Sequence, residues 1–155
     1  MVIDLKGDVQ LKRLMVAVDA SENSARAARV AVRWAKVFKA ELIIIHVVLT
    51  PRDSFAKISS PAAALAEYRS LAQVEGQKIL DEIASLAKSI DVNVTTRLLE
   101  YSSSVVQSIV EEAANEKVDL IVVGKRGLGK FKQLVVGSVS GGVVSHANCA
   151  VLVVK

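Results

Sequence analysis

The most constraining feature of the sequence is the segment Glu41–Val48, which is apolar at nearly every position. Its letters, ELIIIHVV, lack the polar and apolar alternation of a strand with one face in water. A strand that is apolar on both sides lies in a sheet covered by helices on both faces, and such sheets are mostly parallel. The segment therefore predicts a parallel sheet with crossover helices between its strands.

Strand-like segments recur along the chain, separated by stretches with helical patterning. Besides residues 41–48, these segments cover residues 14–18, 92–98, 120–123 and 150–154. The helical stripe that follows the first of them consists of Ala28, Ala31, Ala35 and Phe38. Its small side chains predict a helix packed closely on the sheet.

The remaining segments complete an alternating pattern. Residues 49–61 contain proline and small polar residues and are expected to form a loop. A long helix is predicted over residues 62–89, with Gly76 weakening its middle, and a serine-capped helix is predicted to end near Glu116. The order β-α-β-α-β-α-β-α-β predicts one α/β domain over residues 1–155, with a short N-terminal extension over residues 1–10.

Composition and charge narrow the class of protein. Hydrophobic residues make up 52% of the chain and aromatic residues 4%, so the core must consist mainly of aliphatic side chains. The net charge is +4, but basic residues are interspersed with acidic ones, without the dense basic run of a nucleic-acid-binding protein. Cys149 is the only cysteine, which is typical of a reducing compartment. Because no signal peptide or membrane span is evident, we expect a cytoplasmic protein that binds neither nucleic acid nor membranes.

A segment rich in glycine and lysine follows the fourth predicted strand. Gly124 to Lys130 matches the pattern G-x-x-x-x-G-K of an NTPase phosphate loop, but Phe131 occupies the position of the Mg²⁺-binding hydroxyl residue. In addition, Lys130 leads into a β-branched segment rather than into a helix. Both departures argue against a phosphate loop of that type.

A second spacing of glycines accounts better for this segment. Gly124 and Gly127 are separated by two residues, and nine residues then precede Gly137 and Ser138. Turns at the first pair allow close approach of the backbone to an anion, and the second pair opens a helix predicted from Val139, whose N-terminus favours phosphate. The loop between them is made cationic by Lys125, Arg126, Lys130 and Lys132. The segment is therefore expected to hold a polyphosphate at the carboxyl edge of the sheet, where ligands of such folds bind.

The pattern G-x2-G-x9-G-[S/T] resembles the nucleotide-binding signature of the universal stress protein family. The chain is similar to this family over nearly its whole length. The segment MVAVDASENSARAARVAVRWAKVFKAELIIIHVV resembles its first β-α-β unit, and DLIVVGKRGLGKFKQLVVGSVSGGVVSHANCAVLVVK resembles its C-terminal segment. The resemblance implies a Rossmann-like, open five-stranded parallel sheet of order 3-2-1-4-5, and a homodimer formed through Ala150–Val154.

The resemblance also implies a nucleotide site, because members that carry the glycine motif bind ATP. The ligand would be ATP, or ADP or AMP, with Mg²⁺ carried mainly by the phosphates and with no metal-binding side chain. The implied nucleotide-binding residues are Ala17, Val18, Asp19, Val47, Val123, Gly124, Arg126, Gly127, Gly129, Gly137, Ser138 and Val139. One departure is the pair Gly141–Gly142, which costs about 2 kcal/mol of helix propensity and predicts weaker phosphate capture.

The function implied by the resemblance is that of a nucleotide-dependent sensor or regulator in a stress response, acting on an unidentified protein partner. There are three alternatives: a slow ATPase on the same fold, a ligand-free dimeric scaffold, and a flavin-binding domain. The motif contains no obvious general base, which argues against the ATPase. Asp19 also suits a turn or helix cap, and the basic loop also suits a solvated surface. His46 is expected to be a core or rim histidine rather than a catalytic base, and Trp34 is expected to pack against the sheet or a partner.

Overall fold

The structure is a computed structural model that describes residues 10–48, 61–100, 104–125 and 137–155. Strands and helices alternate throughout these ranges, as the sequence pattern predicts. The elements are β1 Arg13–Val18, α1 Glu22–Phe38, β2 Glu41–Val48, α2 Pro61–Lys88, β3 Val94–Glu100, α3 Val105–Asn115, β4 Leu120–Gly124, α4 Ser138–His146 and β5 Ala150–Val154. β3 begins and ends two residues later than the pattern predicts, and α4 begins one residue earlier.

The strands form one parallel five-stranded sheet in the order β3-β2-β1-β4-β5, which confirms the expected topology. From β1 the chain first adds β2 and β3 on one side, and then returns to add β4 and β5 on the other. The order therefore reverses between β1 and β4, which pair from Leu14 opposite Leu120 to Val16 opposite Val122. The carboxyl ends of these two strands are the place where open α/β sheets bind ligands.

Two apolar layers cover the sheet, one on each face. One contains Leu14, Val16 and Leu42 together with residues of α1 and α2, and the other contains Met15 and Ile43 together with residues of α3 and α4. Neighbouring residues of β1 and β2 are thus buried on opposite faces, as the apolar run Glu41–Val48 predicts.

α1 approaches the sheet through small side chains. The predicted stripe is buried at Ala28, Ala31 and Ala35, but the prediction was wrong for Phe38, which is exposed at the end of the helix. The buried stripe also includes Ala27 and Val32. Phe38 has nearly the same angular position as Ala31, seven residues earlier, and is exposed because it is the last residue of the helix.

An ion-pair network lies at the amino end of the sheet, opposite the candidate site. Arg13 Nε is 3.1 Å from Glu41 Oε2, and Arg13 Nη1 is 3.3 Å from Glu116 Oε2. Arg97 joins the same Glu116 carboxylate at 3.2 Å. Since these groups pair with one another and are partly exposed, the network holds β1, β2, β3 and the end of α3 together rather than forming a site.

Candidate functional site at the carboxyl edge of the sheet

The turn after β1 is organised by hydrogen bonds around Asp19. Asp19 Oδ1 accepts a hydrogen bond from the Ser21 N–H at 2.9 Å, and Ser24 Oγ donates to Asp19 O at 2.5 Å. Ser21 in turn caps α1 by accepting from the Ser24 N–H at 3.1 Å. The interpretation of Asp19 as a turn residue is therefore confirmed, and the same bonds fix its carboxylate at the carboxyl end of β1.

Gly124, the last residue of β4, lies against the beginning of α1. A Cβ atom at this position would be 2.8 Å from both the carbonyl carbon and the oxygen of Asn23, and 3.0 Å from Ser24 N. None of the described glycines has a positive φ. At Gly124, glycine is required because β4 and the first turn of α1 nearly touch, and the predicted close approach of the backbone to an anion stays a prediction.

The carbonyl oxygen of Lys125 joins the two ends of the glycine motif. It accepts hydrogen bonds from the Gly137 N–H at 2.8 Å and from Ser140 Oγ at 2.9 Å. Lys125 N itself donates to Val154 O at 2.6 Å, which ties the same position to the end of β5. The carboxyl end of β4 and the amino end of α4 are thus held side by side, as the two-part motif predicts.

α4 begins at Ser138 with Gly137 as its N-cap, and this residue provides no side-chain hydrogen bond to cap the first N–H groups of the helix. The first four N–H groups of an α-helix have no partner within the helix, and together with the helix dipole they favour an anion. The Ser138 side chain is exposed and Val139 is half-buried. A phosphate in front of Gly137 and Ser138 would be bound by main-chain groups and by this exposed hydroxyl.

Ser140 is a functional candidate that the sequence analysis missed. Its side chain is buried, and its hydroxyl lies 2.9 Å from Lys125 O and 3.1 Å from Gly137 O. The signal in the sequence is a serine three residues after the N-cap, a position from which a side chain reaches back to the start of the helix. Ser140 therefore sets the geometry at the start of α4 without facing a ligand.

His46 supports the carboxyl end of β1 from the neighbouring strand. Its Nδ1 is 2.9 Å from Val18 O, and its ring packs against Gly76 of α2. This half-buried, hydrogen-bonded environment confirms the expectation of a rim histidine. Val47 follows it in β2, opposite Leu99 of β3, and its side chain packs against the same apolar layer as that of Ala17.

The structure brings most of the predicted site residues to one edge. Those at the carboxyl ends of β1 and β4 and at the start of α4 are Ala17, Val18, Asp19, Val123, Gly124, Gly137, Ser138 and Val139. Val47 lies at the end of β2, one residue beyond the pair formed by Val18 and His46. Arg126, Gly127 and Gly129 lie outside the described residues.

The polar groups at this edge differ in the ligand groups that they favour. Asp19 supplies a carboxylate, which accepts hydrogen bonds from hydroxyl groups and repels phosphate. The start of α4 supplies N–H donors, which attract phosphate. In the described ranges, no three His, Cys, Asp or Glu side chains are grouped closely enough to hold a metal ion. The arrangement suits a ligand with hydroxyls at one end and phosphates at the other.

Comparison with known proteins identifies the family. The model of the Universal stress protein family matches residues 10–155. A universal stress protein of Methanocaldococcus jannaschii is 35% identical over 150 residues, covering 96% of this chain and 85% of that protein. Universal stress protein UspA of Lactobacillus plantarum has the same fold, with a TM-score of 0.85 at 23% identity, covering 96% of this chain and 100% of that one.

A further solved structure is a universal stress protein in complex with cAMP. It is 28% identical, with a TM-score of 0.67, and covers 94% of this chain and 98% of that one. None of the helices in the described part of the chain is long and apolar enough to cross a membrane.

Proposed function

The chain belongs to the universal stress protein family, and from this membership we propose that it binds an adenine nucleotide, ATP in particular, as a cytoplasmic regulator in a stress response. The proposed site is the carboxyl edge formed by β1, β4 and the start of α4. The complex of a related universal stress protein with cAMP supports a ligand that contains adenosine and phosphate.

The observation that carries the proposal is the pair of hydrogen bonds accepted by the Lys125 carbonyl oxygen. Because its carbonyl oxygen binds both the Gly137 N–H and Ser140 Oγ, the start of α4 is held next to the end of β4. β4 in turn pairs with β1, so the start of α4 lies on the same edge as Asp19. A site that is formed in advance loses little free energy to ordering when it binds.

The described residues fit the parts of a nucleotide in a definite order. Asp19 would accept hydrogen bonds from the ribose hydroxyls, and the main chain at Gly137, Ser138 and Val139 would donate to the phosphates. The adenine would lie beside Ala17, Val18 and the backbone of Val47. Mg²⁺ would travel with the phosphates, since Asp19 is the single carboxylate among these residues.

Regulation would follow from linkage between this site and the surface around it. A nucleotide that contacts the starts of both α1 and α4 stabilises one arrangement of these helices relative to others. A regulatory protein that recognises the same arrangement would then bind more tightly to the nucleotide complex.

We also propose that the chain forms a homodimer through β5. This strand is an edge of the sheet, and four of its residues, Val151, Leu152, Val153 and Val154, are apolar and only partly buried. Exposed apolar edge strands pair readily with another chain, and a two-fold dimer lets each β5 pair with the other. Amide hydrogen exchange in β5 would test this pairing, since exchange should slow as the protein concentration rises.

Nucleotide binding is tested by isothermal titration of the purified chain, after removal of any co-purified ligand, with ATP, ADP, AMP and cAMP. Ser138→Ala removes an exposed hydroxyl at the start of α4 and should weaken ATP binding by roughly tenfold, as expected for one hydrogen bond to a charged group. Ser145→Ala, at the other end of the same helix, is the matched control and should bind ATP normally. Absence of binding to every nucleotide would instead favour the ligand-free scaffold.

A further inference from the structure

The peptide unit between Val18 and Asp19 is held from two sides at the carboxyl end of β1. Its carbonyl oxygen, Val18 O, lies 2.9 Å from His46 Nδ1. Its N–H, which belongs to Asp19, donates to Ser24 Oγ at 3.2 Å. Because a peptide unit is planar, its rotation would break both contacts together. The orientation of this peptide is therefore set by a strand on one side and by a helix on the other.

His46 reaches the peptide from the neighbouring strand β2. The two strands pair with Val18 opposite His46, so the imidazole lies beside the carbonyl group that it contacts. A carbonyl oxygen can only accept a hydrogen bond, and Nδ1 must therefore carry the hydrogen in this contact. The neutral ring then has its hydrogen on Nδ1 and a lone pair on Nε2.

The other edge of the ring lies against α2. A Cβ atom at Gly76 would be 2.5 Å from His46 Cδ2, 3.0 Å from His46 Nε2 and 2.8 Å from Leu98 Cδ1. The helix backbone therefore lies directly behind the ring and opposes its movement away from Val18 O. Packing between α2 and β1 thus sets the direction in which Nδ1 donates.

Asp19 is the residue whose side chain depends on this arrangement. It is half-buried, and its Oδ1 accepts a hydrogen bond from the Ser21 N–H at 2.9 Å. A carboxylate can accept several hydrogen bonds at once, so this bond does not prevent Asp19 from accepting hydroxyl groups of a ligand. The direction of the carboxylate depends on the backbone torsion angles at Asp19. One of the two peptides that define these angles is the one held by His46 and Ser24.

We infer that His46 is a positioning residue of the nucleotide site, which holds the Asp19 carboxylate in the direction that a ligand meets. It acts through the Val18 carbonyl group and does not itself touch the nucleotide. The inference rests on the proposed nucleotide site and adds to that site a supporting residue from β2. Such support raises affinity because a group that is already oriented loses less entropy on binding.

Two substitutions of similar size separate the hydrogen bond from packing. His46→Asn keeps an N–H donor at the same number of bonds from the backbone as Nδ1, whereas His46→Leu has a methyl group there. Both leave similar space beside Gly76, so any loss of packing is common to them. In isothermal titration, His46→Leu should weaken ATP binding about fivefold, the typical value of one hydrogen bond. His46→Asn should recover most of that loss.

The same titration in an Asp19→Ala background shows whether His46 acts through Asp19. The carboxylate is then missing, so His46→Leu should lower the remaining affinity by less than about twofold, because two residues that act as one unit are not additive. Nitrogen NMR of the imidazole provides a check without ligand, and Nδ1 should be the protonated nitrogen.

The outcomes distinguish this inference from the proposed function. If ATP binds but His46→Asn and His46→Leu weaken it equally or not at all, the positioning role is wrong and the nucleotide site stands. The same holds if His46→Leu has its full effect without the Asp19 carboxylate, or if the ring is protonated on Nε2 instead of Nδ1. A parent chain that binds no adenine nucleotide would overturn the proposed function and this inference together.

Discussion

Gly76 of α2 lies directly against the imidazole ring of His46. A Cβ atom at Gly76 would come within 2.5 Å of His46 Cδ2 and 2.8 Å of Leu98 Cδ1. Nδ1 of the same ring is 2.9 Å from Val18 O. One side chain therefore links α2 to the end of β1, and the absence of a side chain at Gly76 makes room for it.

Gly76→Ala should lower the free energy of unfolding by about 1–2 kcal/mol. Alanine gains up to about 1 kcal/mol of helix propensity, but the added methyl group displaces His46, and overpacking of this kind costs about 1–3 kcal/mol. Urea denaturation measures the difference. Ser70→Ala, at an exposed position of the same helix, is the control and should be neutral or slightly stabilising. An increase in stability for Gly76→Ala would mean that the ring moves aside freely.

Gly124→Ala should destabilise the fold more than Gly142→Ala does. The added Cβ at Gly124 meets main-chain atoms of Asn23 and Ser24, which have little freedom to move. At Gly142 the obstacle is the Val106 side chain, 2.6 Å away, and alanine is favoured there by helix propensity. We expect a loss of about 2–3 kcal/mol for Gly124→Ala and about 1 kcal/mol for Gly142→Ala, from chemical denaturation.

Val106→Ala provides the control for this comparison. In a double variant it should restore much of the stability lost by Gly142→Ala, because it removes the obstructing methyl groups. It should have no such effect on Gly124→Ala. Equal losses for both glycine variants would contradict the distinction between main-chain and side-chain obstacles.

Ser140→Ala should loosen the start of α4. The buried hydroxyl donates a hydrogen bond at the closure of the glycine motif, and its loss costs about 1 kcal/mol. Amide hydrogen exchange at Gly137 should become faster, and ATP affinity should fall. Ser145→Ala, whose exposed hydroxyl donates to Gly141 O at 2.9 Å, should change neither. Unchanged exchange at Gly137 would show that the hydrogen bond from its N–H to Lys125 O holds the start of α4 beside β4 without Ser140.

Cys149 should react slowly with iodoacetamide in the folded protein. Burial raises the pKa of its thiol above the ordinary value, and the negative charge of Asp119 acts in the same direction, against hydrogen bonds that lower it. The reactive thiolate is therefore scarce at neutral pH and forms only at more alkaline pH than in the unfolded chain. Alkylation rates measured against pH, with and without urea, test whether folding raises the pKa of this thiol. Identical pH profiles in the two conditions would contradict the prediction.

The elements were predictable from the sequence where local pattern decides the structure. The apolar run at Glu41–Val48 predicted β2 at its observed bounds, and Ser104 caps α3 as its position indicates. The strand order followed from the family resemblance rather than from any local pattern. Phe38 was misplaced because helical spacing identifies a stripe but not the residue at which the sheet beneath it ends.

The site was predictable as a set of positions, but not in its contacts. Gly124 and Gly137 were expected at a ligand, and both lie at the predicted edge. However, the reason for glycine at Gly124 is the main chain of Asn23, about a hundred residues earlier. Gly76 was expected only to weaken a helix, because nothing in the sequence nearby indicates His46 as its neighbour. Contacts between distant segments depend on topology, which a single sequence specifies only indirectly.

The central position of β1 has a consequence for how the chain is made. Of the five described strands, β1 leaves the ribosome first, and β2 follows it soon afterwards on one side. Its other neighbour is β4, since Leu14 pairs with Leu120, and at ordinary rates of translation this strand emerges roughly 5–20 s later. Throughout that interval the nascent chain carries an apolar strand with one open side, so β1 is the segment that a ribosome-bound chaperone would need to shield.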